Sequence, residues 1–105
     1  MKLILSDGMD YGIDNQGNKI CRGAMMGRHN ILPLDKMLPI KLRMEKLQMV
    51  YYDYDTKGAY WGHTPGTAIY CAHSTSKVMI FVRATSRIDA KNQVKEKLPN
   101  ATFFR

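Results

Sequence analysis

The chain has 105 residues, a length that suits a single domain spanning residues 1–105 around one hydrophobic core. Its hydrophobic content of 45% and charged content of 24% are those of globular proteins, which excludes a disordered tail or a fibrous repeat. No apolar run reaches the roughly 18 residues that cross a bilayer, and the first residues lack a signal-peptide pattern, so we expect a cytoplasmic protein that does not engage a membrane.

The net charge of +7 is confined to residues 36–105, because the four basic and four acidic side chains of residues 1–35 cancel. A positive field favours polyanions or acidic protein surfaces as partners. The alternative is that the charge serves solubility alone.

The beginning of the chain predicts a hairpin and a loop. Residues 9–23 place apolar side chains on either side of a turn that is rich in Asp and Asn and contains Gly17, a pattern typical of a β-hairpin. Residues 23–33 contain two glycines, a polar tip and a closing proline without clear periodicity, which indicates an ordered loop.

A helix is predicted over residues 39–49. Ile40, Met44 and Leu47 fall at i, i+4 and i+7 and would form one apolar stripe. Asp35 and then a proline precede them, as suits the start of a helix. The basic side chains that would lie off this stripe, towards solvent or a partner, are Lys41, Arg43 and Lys46.

Three strands are predicted next, over residues 50–55, 67–74 and 77–84. A short polar turn joins the second to the third, which makes these two a hairpin, and the third is the most apolar and is expected at the centre of the sheet. Alternation along the second strand would place Ile69, Cys71 and His73 on one face.

The clearest predicted helix covers residues 86–98. Ser86 can cap it, and Asp89 completes an S-x-x-D capping box. The residues that would form its buried side are Ala90, Val94 and Leu98. Residues 101–105 follow as a short strand, parallel to the third strand if a right-handed crossover joins them. The elements together predict an α+β fold: a small, mainly antiparallel sheet packed with one or two helices.

Two groups of side chains are candidate binding residues. Arg87, Lys91 and Lys95 stand at i, i+4 and i+8 and would form a basic stripe that could contact phosphates, although a charged outer face is also common on any amphipathic helix. In residues 58–74, GAYWGHTPGTAIYCAHS, we expect a strand pair and its turn, with exposed side chains for a partner's surface. These exposed candidates are Tyr60, Trp61 and His63.

Chemistry at cysteine and histidine is the least favoured interpretation. Zinc would require Cys21, His29, Cys71 and His73 to converge, and their spacing matches no compact site. Cys71 with a histidine could supply a nucleophile and base, but no nucleophile elbow or orienting acid accompanies them. We therefore expect no catalytic residue, no metal and no cofactor. The two cysteines are expected as thiols, with a single disulfide as the alternative.

Several segments together resemble a group of small proteins of tailed phages and integrated mobile elements, to which no activity is assigned. The segments are GAMMGRHNILP, KLRMEKL, GAYWG, IYCA, FVRATSRIDAK and LPNATFFR. The resemblance covers roughly residues 23–105, and its most specific parts are GAYWG at 58–62 and FVRA at 81–84.

The resemblance implies a mobile-element origin and carries over no site residue. It favours a non-catalytic accessory protein that binds a host protein or nucleoprotein complex in the host cytoplasm, with an inhibitor of a defence system such as CRISPR or restriction as the sharpest form. A basic nucleic-acid-binding module is the alternative, and a small enzyme or zinc protein that uses Cys71 is the least favoured.

Overall fold

The structure is a computed structural model that describes residues 3–4, 10–13, 19–22, 30–51, 53–58, 60–62, 64–75 and 78–104. The described strands, in chain order, are Leu3–Ile4 (β1), Asp10–Ile13 (β2), Lys19–Arg22 (β3), Asn30–Leu32 (β4), Ile40–Lys46 (β5), Met49–Tyr51 (β6), Tyr54–Asp55 (β7), Ala68–His73 (β8), Met79–Ala84 (β9) and Ala101–Phe103 (β10). The described helix is Arg87–Lys97 (α1).

Within this described part, eight strands form one sheet in the order β1-β2-β3-β4-β9-β8-β5-β10, and β6 pairs with β7 in a second, small sheet. Neighbouring strands run antiparallel except for β5 and β10, which are parallel. With α1 packed on the larger sheet, the predicted α+β architecture is confirmed.

The prediction of a helix over residues 39–49 is wrong, because Ile40–Lys46 forms strand β5. Residues four apart also share a face of a strand, so the spacing of Ile40 and Met44 satisfies both periods. Leu42 decides between them: Leu42 and Met44 are buried, whereas Lys41 and Arg43 are exposed, which is the alternation of a strand. β5 lies between β8 and β10 and bonds to both.

The predicted hairpin of the second and third strands is confirmed as β8 and β9, which pair from Ala68 opposite Ala84 to His73 opposite Met79. β9 lies between β4 and β8, inside the sheet, as predicted for the most apolar strand. Ile80, Phe81 and Val82 are all buried, so both faces of β9 are covered.

The predicted C-terminal helix is also confirmed. Ser86 lies at its N-cap, where Ser86 Oγ accepts a hydrogen bond of 3.1 Å from the Asp89 backbone N–H. The helix packs on one face of the sheet, and the buried residues of this core are Leu32, Leu42, Met44, Ala72, Val78, Ile80, Val82, Ala84, Ala90, Val94, Leu98 and Ala101.

After α1 the chain enters β10, which lies at the edge of the described sheet beside β5. β5 and β9 are both antiparallel to β8, so β10, being parallel to β5, also runs parallel to β9. The predicted direction of the last strand is therefore confirmed, although two strands separate it from β9.

Nearer the start of the chain the predictions are confirmed in part. β2 and β3 form the predicted antiparallel hairpin, whose turn at residues 14–18 lies outside the described residues. The loop predicted over residues 23–33 is wrong for Asn30–Leu32, which form β4, and residues 23–29 are not described. The strand predicted over residues 50–55 is instead a hairpin of β6 and β7. In the part of the chain that the structure covers, no helix is long and apolar enough to cross a membrane.

Candidate binding surface

The face of the sheet opposite α1 has two halves. Strand alternation and register place Arg43, Cys71 and Phe81 on this face, because residues that lie directly opposite each other in paired strands point the same way. One half, the covered half, lies under the segment around Trp61. The other lies towards the edge formed by β5 and β10, where Lys41, Arg43 and Phe104 are exposed. We call it the uncovered half, with reference to the described residues.

The covered half is an aromatic cluster of three buried residues, Trp61, Ile69 and Phe81. The Trp61 ring lies against Phe81 with 5.0 Å between ring centroids, and Trp61 is only 4% exposed. Tilted aromatic pairs at this separation add to the free energy gained by burying their area. This cluster therefore forms a second core, separate from the one under α1.

Asp55 holds the Trp61 indole in this cluster by a hydrogen bond. Its carboxylate is buried and accepts hydrogen bonds from Trp61 Nε1 at 3.0 Å and from the Lys57 backbone N–H at 2.8 Å. Its backbone carbonyl accepts a further bond from Gly58 N, and Gly58 has a φ of 82°, a conformation that favours glycine. A buried carboxylate needs such partners, since desolvation of an unpaired charge is costly.

Arg83 joins β9 to the same segment. Its guanidinium donates to the Trp61 carbonyl at 2.5 Å and to the Gly62 carbonyl at 3.4 Å, and also reaches Thr67 Oγ1 at 3.4 Å. The segment around Trp61 and strand β9 are thus in direct contact. Their residues in this contact serve packing and hydrogen bonding within the fold.

The expectation that Trp61 is exposed is wrong, since its indole is buried and hydrogen-bonded to Asp55. Tyr60 is exposed, as expected, and its ring lies 5.2 Å from that of Tyr54. His63 lies outside the described residues. Of the three aromatic-loop candidates, Tyr60 is the one that the structure places at the surface.

The basic stripe of Arg87, Lys91 and Lys95 lies on α1, with Arg87 and Lys95 exposed. Lys91 is half-buried, and its Nζ lies 5.4 Å from the centroid of the Phe103 ring. A cation at this distance over an aromatic face is attracted by the ring. The middle of the stripe therefore lies beside the edge strand β10.

The uncovered half carries two further cations, Lys41 and Arg43, beside the ring of Phe104. We call these three residues the basic surface. Lys41 Nζ lies 4.4 Å from the centroid of the Phe104 ring and Arg43 Cζ lies 5.6 Å from it. The Phe104 backbone N–H donates to the Leu42 carbonyl at 2.9 Å, which holds the ring beside β5. Phe104 remains 42% exposed.

Sequence reasoning missed the basic surface. It placed Lys41 and Arg43 towards solvent or a partner, but on a helix, and it gave Phe104 no role. The alternation of Lys41, Arg43 and Glu45 with Leu42 and Met44 is the local signal that could have identified the strand. The contact with Phe104 joins residues about 60 positions apart, and no local pattern encodes it.

A cleft of about 570 Å³ lies between the end of β5 and the covered half, and Lys46, Asp53 and Arg83 line it with mixed charge. A neighbouring cleft of about 430 Å³ is lined by Cys71 and His73 among others. His73 Nε2 lies 3.3 Å from Glu45 Oε2.

Cys71 packs against the aromatic cluster. In the described part of the chain, no three His, Cys, Asp or Glu residues are grouped so that they could hold a metal ion. The side chain of Cys21 and all of His29 lie outside the described residues.

The chain was compared with protein-family models, with curated proteins and with solved structures, and none of them matches it. Its function is therefore inferred from its own residues, of which the exposed groups are the relevant ones. These are the basic surface, the basic stripe of α1 and the turn between β4 and β5.

Proposed function

We propose that this chain is a non-catalytic accessory protein of a phage or other mobile element, which acts in the host cytoplasm by binding a host protein or nucleoprotein complex. The most specific version of this proposal is that the chain inhibits a host defence system such as CRISPR or a restriction nuclease. The observation that carries the proposal is an exposed apolar turn between β4 and β5, made of Leu34, Met37 and Leu38.

The three side chains of the apolar turn are 54%, 53% and 56% exposed, respectively. Single exposed apolar residues are ordinary, but a contiguous group marks an interaction site more often than chance. Large apolar side chains are also depleted from turns that serve only to connect strands, where polar and small residues are preferred. A protein partner that buries these side chains would remove apolar area from water, which favours binding.

The turn is also held in place before any partner arrives. Asp35 Oδ1 accepts a hydrogen bond of 2.9 Å from the Met37 backbone N–H, and the Asp35 carbonyl accepts one of 3.3 Å from Leu38. Asn100 directly precedes β10, and its Nδ2 donates to the Met37 carbonyl. A preorganised turn loses less conformational entropy on binding, which raises affinity.

The net positive charge of the chain favours a partner with an acidic surface. The net charge of +7 is the wrong sign for imitation of DNA, which would need an acidic surface. A positive protein is steered towards negative patches, and this increases the rate of encounter. Host nucleoprotein complexes carry both acidic protein surface and nucleic acid.

The test is affinity purification from host lysate, with and without nuclease. It uses the natural chain, the variant Leu34→Ser/Met37→Ser/Leu38→Ser, and Ile88→Ser as the matched control, because Ile88 is an exposed apolar residue on α1. We expect the natural chain and the control to capture the same host protein and the triple variant to lose it. If all three proteins capture the same host protein, the turn does not have the proposed role. A growth comparison tests the inhibitor form: it is refuted if an element that lacks this chain grows equally well on defended and undefended hosts.

A direct nucleic-acid-binding module is the second candidate. The cations grouped around the edge of the sheet favour it: the basic surface on one side of β10 and Lys91 on the other. Each phosphate contact should add about 0.7–0.9 to the dependence of log affinity on log salt. If Lys91→Glu changes neither the affinity nor its salt dependence, Lys91 does not contact the nucleic acid.

A further inference from the structure

We propose that the basic surface binds an unpaired polynucleotide strand, with phosphates on Lys41 and Arg43 and a base stacked on Phe104. This inference deepens the nucleic-acid candidate and rests on it. The observation behind it is the exposed Phe104 ring with the cationic ends of Lys41 and Arg43 at 4.4 and 5.6 Å from its centroid.

The backbone fixes this arrangement. Lys41 and Arg43 are two residues apart on β5, so they leave the same face of the sheet with a separation of about 6.6–6.8 Å along the strand. Thr102 of β10 pairs with Lys41, and Phe104 follows on the same face, tied to β5 by its bond to the Leu42 carbonyl. The two cations and the ring therefore stand together on this face, with Lys41 and Arg43 over the ring. A base that stacks on Phe104 takes the place of a cation over the ring, and that cation then pairs with a phosphate.

The chemistry of the group matches a single strand better than a duplex. An exposed aromatic ring can stack on any base, but only where the base has left its own stack, whereas cations alone would bind paired and unpaired phosphates alike. Stacking on such a ring changes affinity by about fivefold to a hundredfold per base. The ring thus adds a preference for unpaired strands to the attraction of the charges.

Charge on the neighbouring residues is compatible with this occupant. Glu45, the acidic residue of β5, lies beside His73, with Oε2 3.3 Å from the imidazole Nε2. On the other face of β10, Lys91 lies over Phe103 and continues the positive charge around the edge. A strand of several nucleotides could pass across this edge and meet cations on both faces.

The test is fluorescence anisotropy with labelled oligouridine, oligothymidine and a duplex of similar length, measured over a range of salt concentrations. The variants are Lys41→Gln/Arg43→Gln and Phe104→Ala. The matched control is Lys36→Gln/Lys57→Gln, which removes the same charge from exposed lysines elsewhere. Circular dichroism checks that each variant is folded.

We expect single strands to bind more tightly than the duplex, and tighter binding of oligouridine or of oligothymidine identifies RNA or DNA as the ligand. Lys41→Gln/Arg43→Gln should lower the salt slope by about 0.7 for each cation, and Phe104→Ala should weaken single-strand binding about tenfold without a change in slope. Phe104→Trp should retain binding.

Two results would overturn the inference while leaving the nucleic-acid candidate intact. The first is an equal loss of oligonucleotide affinity in the control and in Lys41→Gln/Arg43→Gln. The second is duplex binding as tight as single-strand binding, together with no effect of Phe104→Ala. The absence of binding to every oligonucleotide would refute that candidate as well. Polyglutamate that binds the natural chain but not Lys41→Gln/Arg43→Gln, where oligonucleotides fail, would reassign the basic surface to an acidic protein.

Discussion

The covered and uncovered halves of the sheet face opposite α1 belong to one sheet but have opposite properties. In the covered half, Trp61 and Phe81 pack together and are buried. In the uncovered half, Phe104 lies at the surface with Lys41 and Arg43 around its ring. Strand alternation brings side chains to this face in both halves, so alternation does not decide whether a side chain is buried or exposed. Among the described residues, the segment around Trp61 lies over one half only, and this decides which aromatic side chain belongs to a core.

The two halves also differ in how their polar groups are satisfied. The Trp61 indole N–H has a buried carboxylate, Asp55, as its acceptor, and Arg83 donates to the Trp61 carbonyl. The cations around Phe104 lie at the surface, where water and a ligand can reach them. Substitutions in the covered half should therefore change stability, and those in the uncovered half should change binding.

The largest effect is expected from Trp61→Ala in the covered half. Removal of a buried indole that packs on Phe81 should lower the free energy of unfolding by about 3–5 kcal/mol. Because the chain has one tryptophan, urea unfolding should be followed by circular dichroism. A change below about 1 kcal/mol would mean that the segment does not cover this half in solution.

Asp55→Ala should come second, with a loss of about 1–3 kcal/mol, because the buried Trp61 N–H then has no acceptor. Asp55→Asn is the matched control, since its amide oxygen can still accept from the indole and should retain part of the stability. The Trp61 fluorescence maximum should move to longer wavelength in Asp55→Ala as water enters. Emission and unfolding midpoints that match the natural protein would show that Asp55 does not position the indole.

Arg83→Met should cost about 1–2 kcal/mol, because Arg83 is half-buried and its bonds to the Trp61 and Gly62 carbonyls are lost. Arg87→Met removes the same charge from an exposed position on α1 and should change stability by less than about 0.5 kcal/mol. Thermal unfolding of both variants measures the difference. Equal midpoints would assign the loss to net charge and not to the contact between β9 and the Trp61 segment.

The smallest effect on stability is expected from Phe104→Ala in the uncovered half. The ring is partly exposed and its cation contacts are worth about 0.5–1 kcal/mol at such sites, so the unfolding free energy should fall by less than about 1 kcal/mol. Urea unfolding followed by Trp61 fluorescence measures this directly. A loss as large as that of Trp61→Ala would show that both halves are covered and would end the contrast between them.

The sequence predicted the α+β class, the hairpin of β8 and β9, the place of β9 inside the sheet, and α1 with its cap at Ser86. These elements have unambiguous local patterns: a capping box with apolar residues four apart, or a continuous apolar run beside a polar turn. The segment of β5 was predicted as a helix because Ile40 and Met44 satisfy both periods. Of the site, the basic stripe on α1 and the exposure of Tyr60 were expected, whereas the basic surface was not.

What the sequence determined by itself was the local structure wherever one periodicity was possible, and the excess of positive charge in residues 36–105. The tertiary structure decided the rest. It assigned Trp61 to a core and Phe104 to a surface, because these outcomes depend on contacts with Asp55 and with β5 that no local pattern encodes. It also joined β10 to β5, which brought Phe104 beside Lys41 and Arg43. Burial is set by which segments meet in space, and residues that lie far apart along the chain create both the buried cluster and the candidate binding surface.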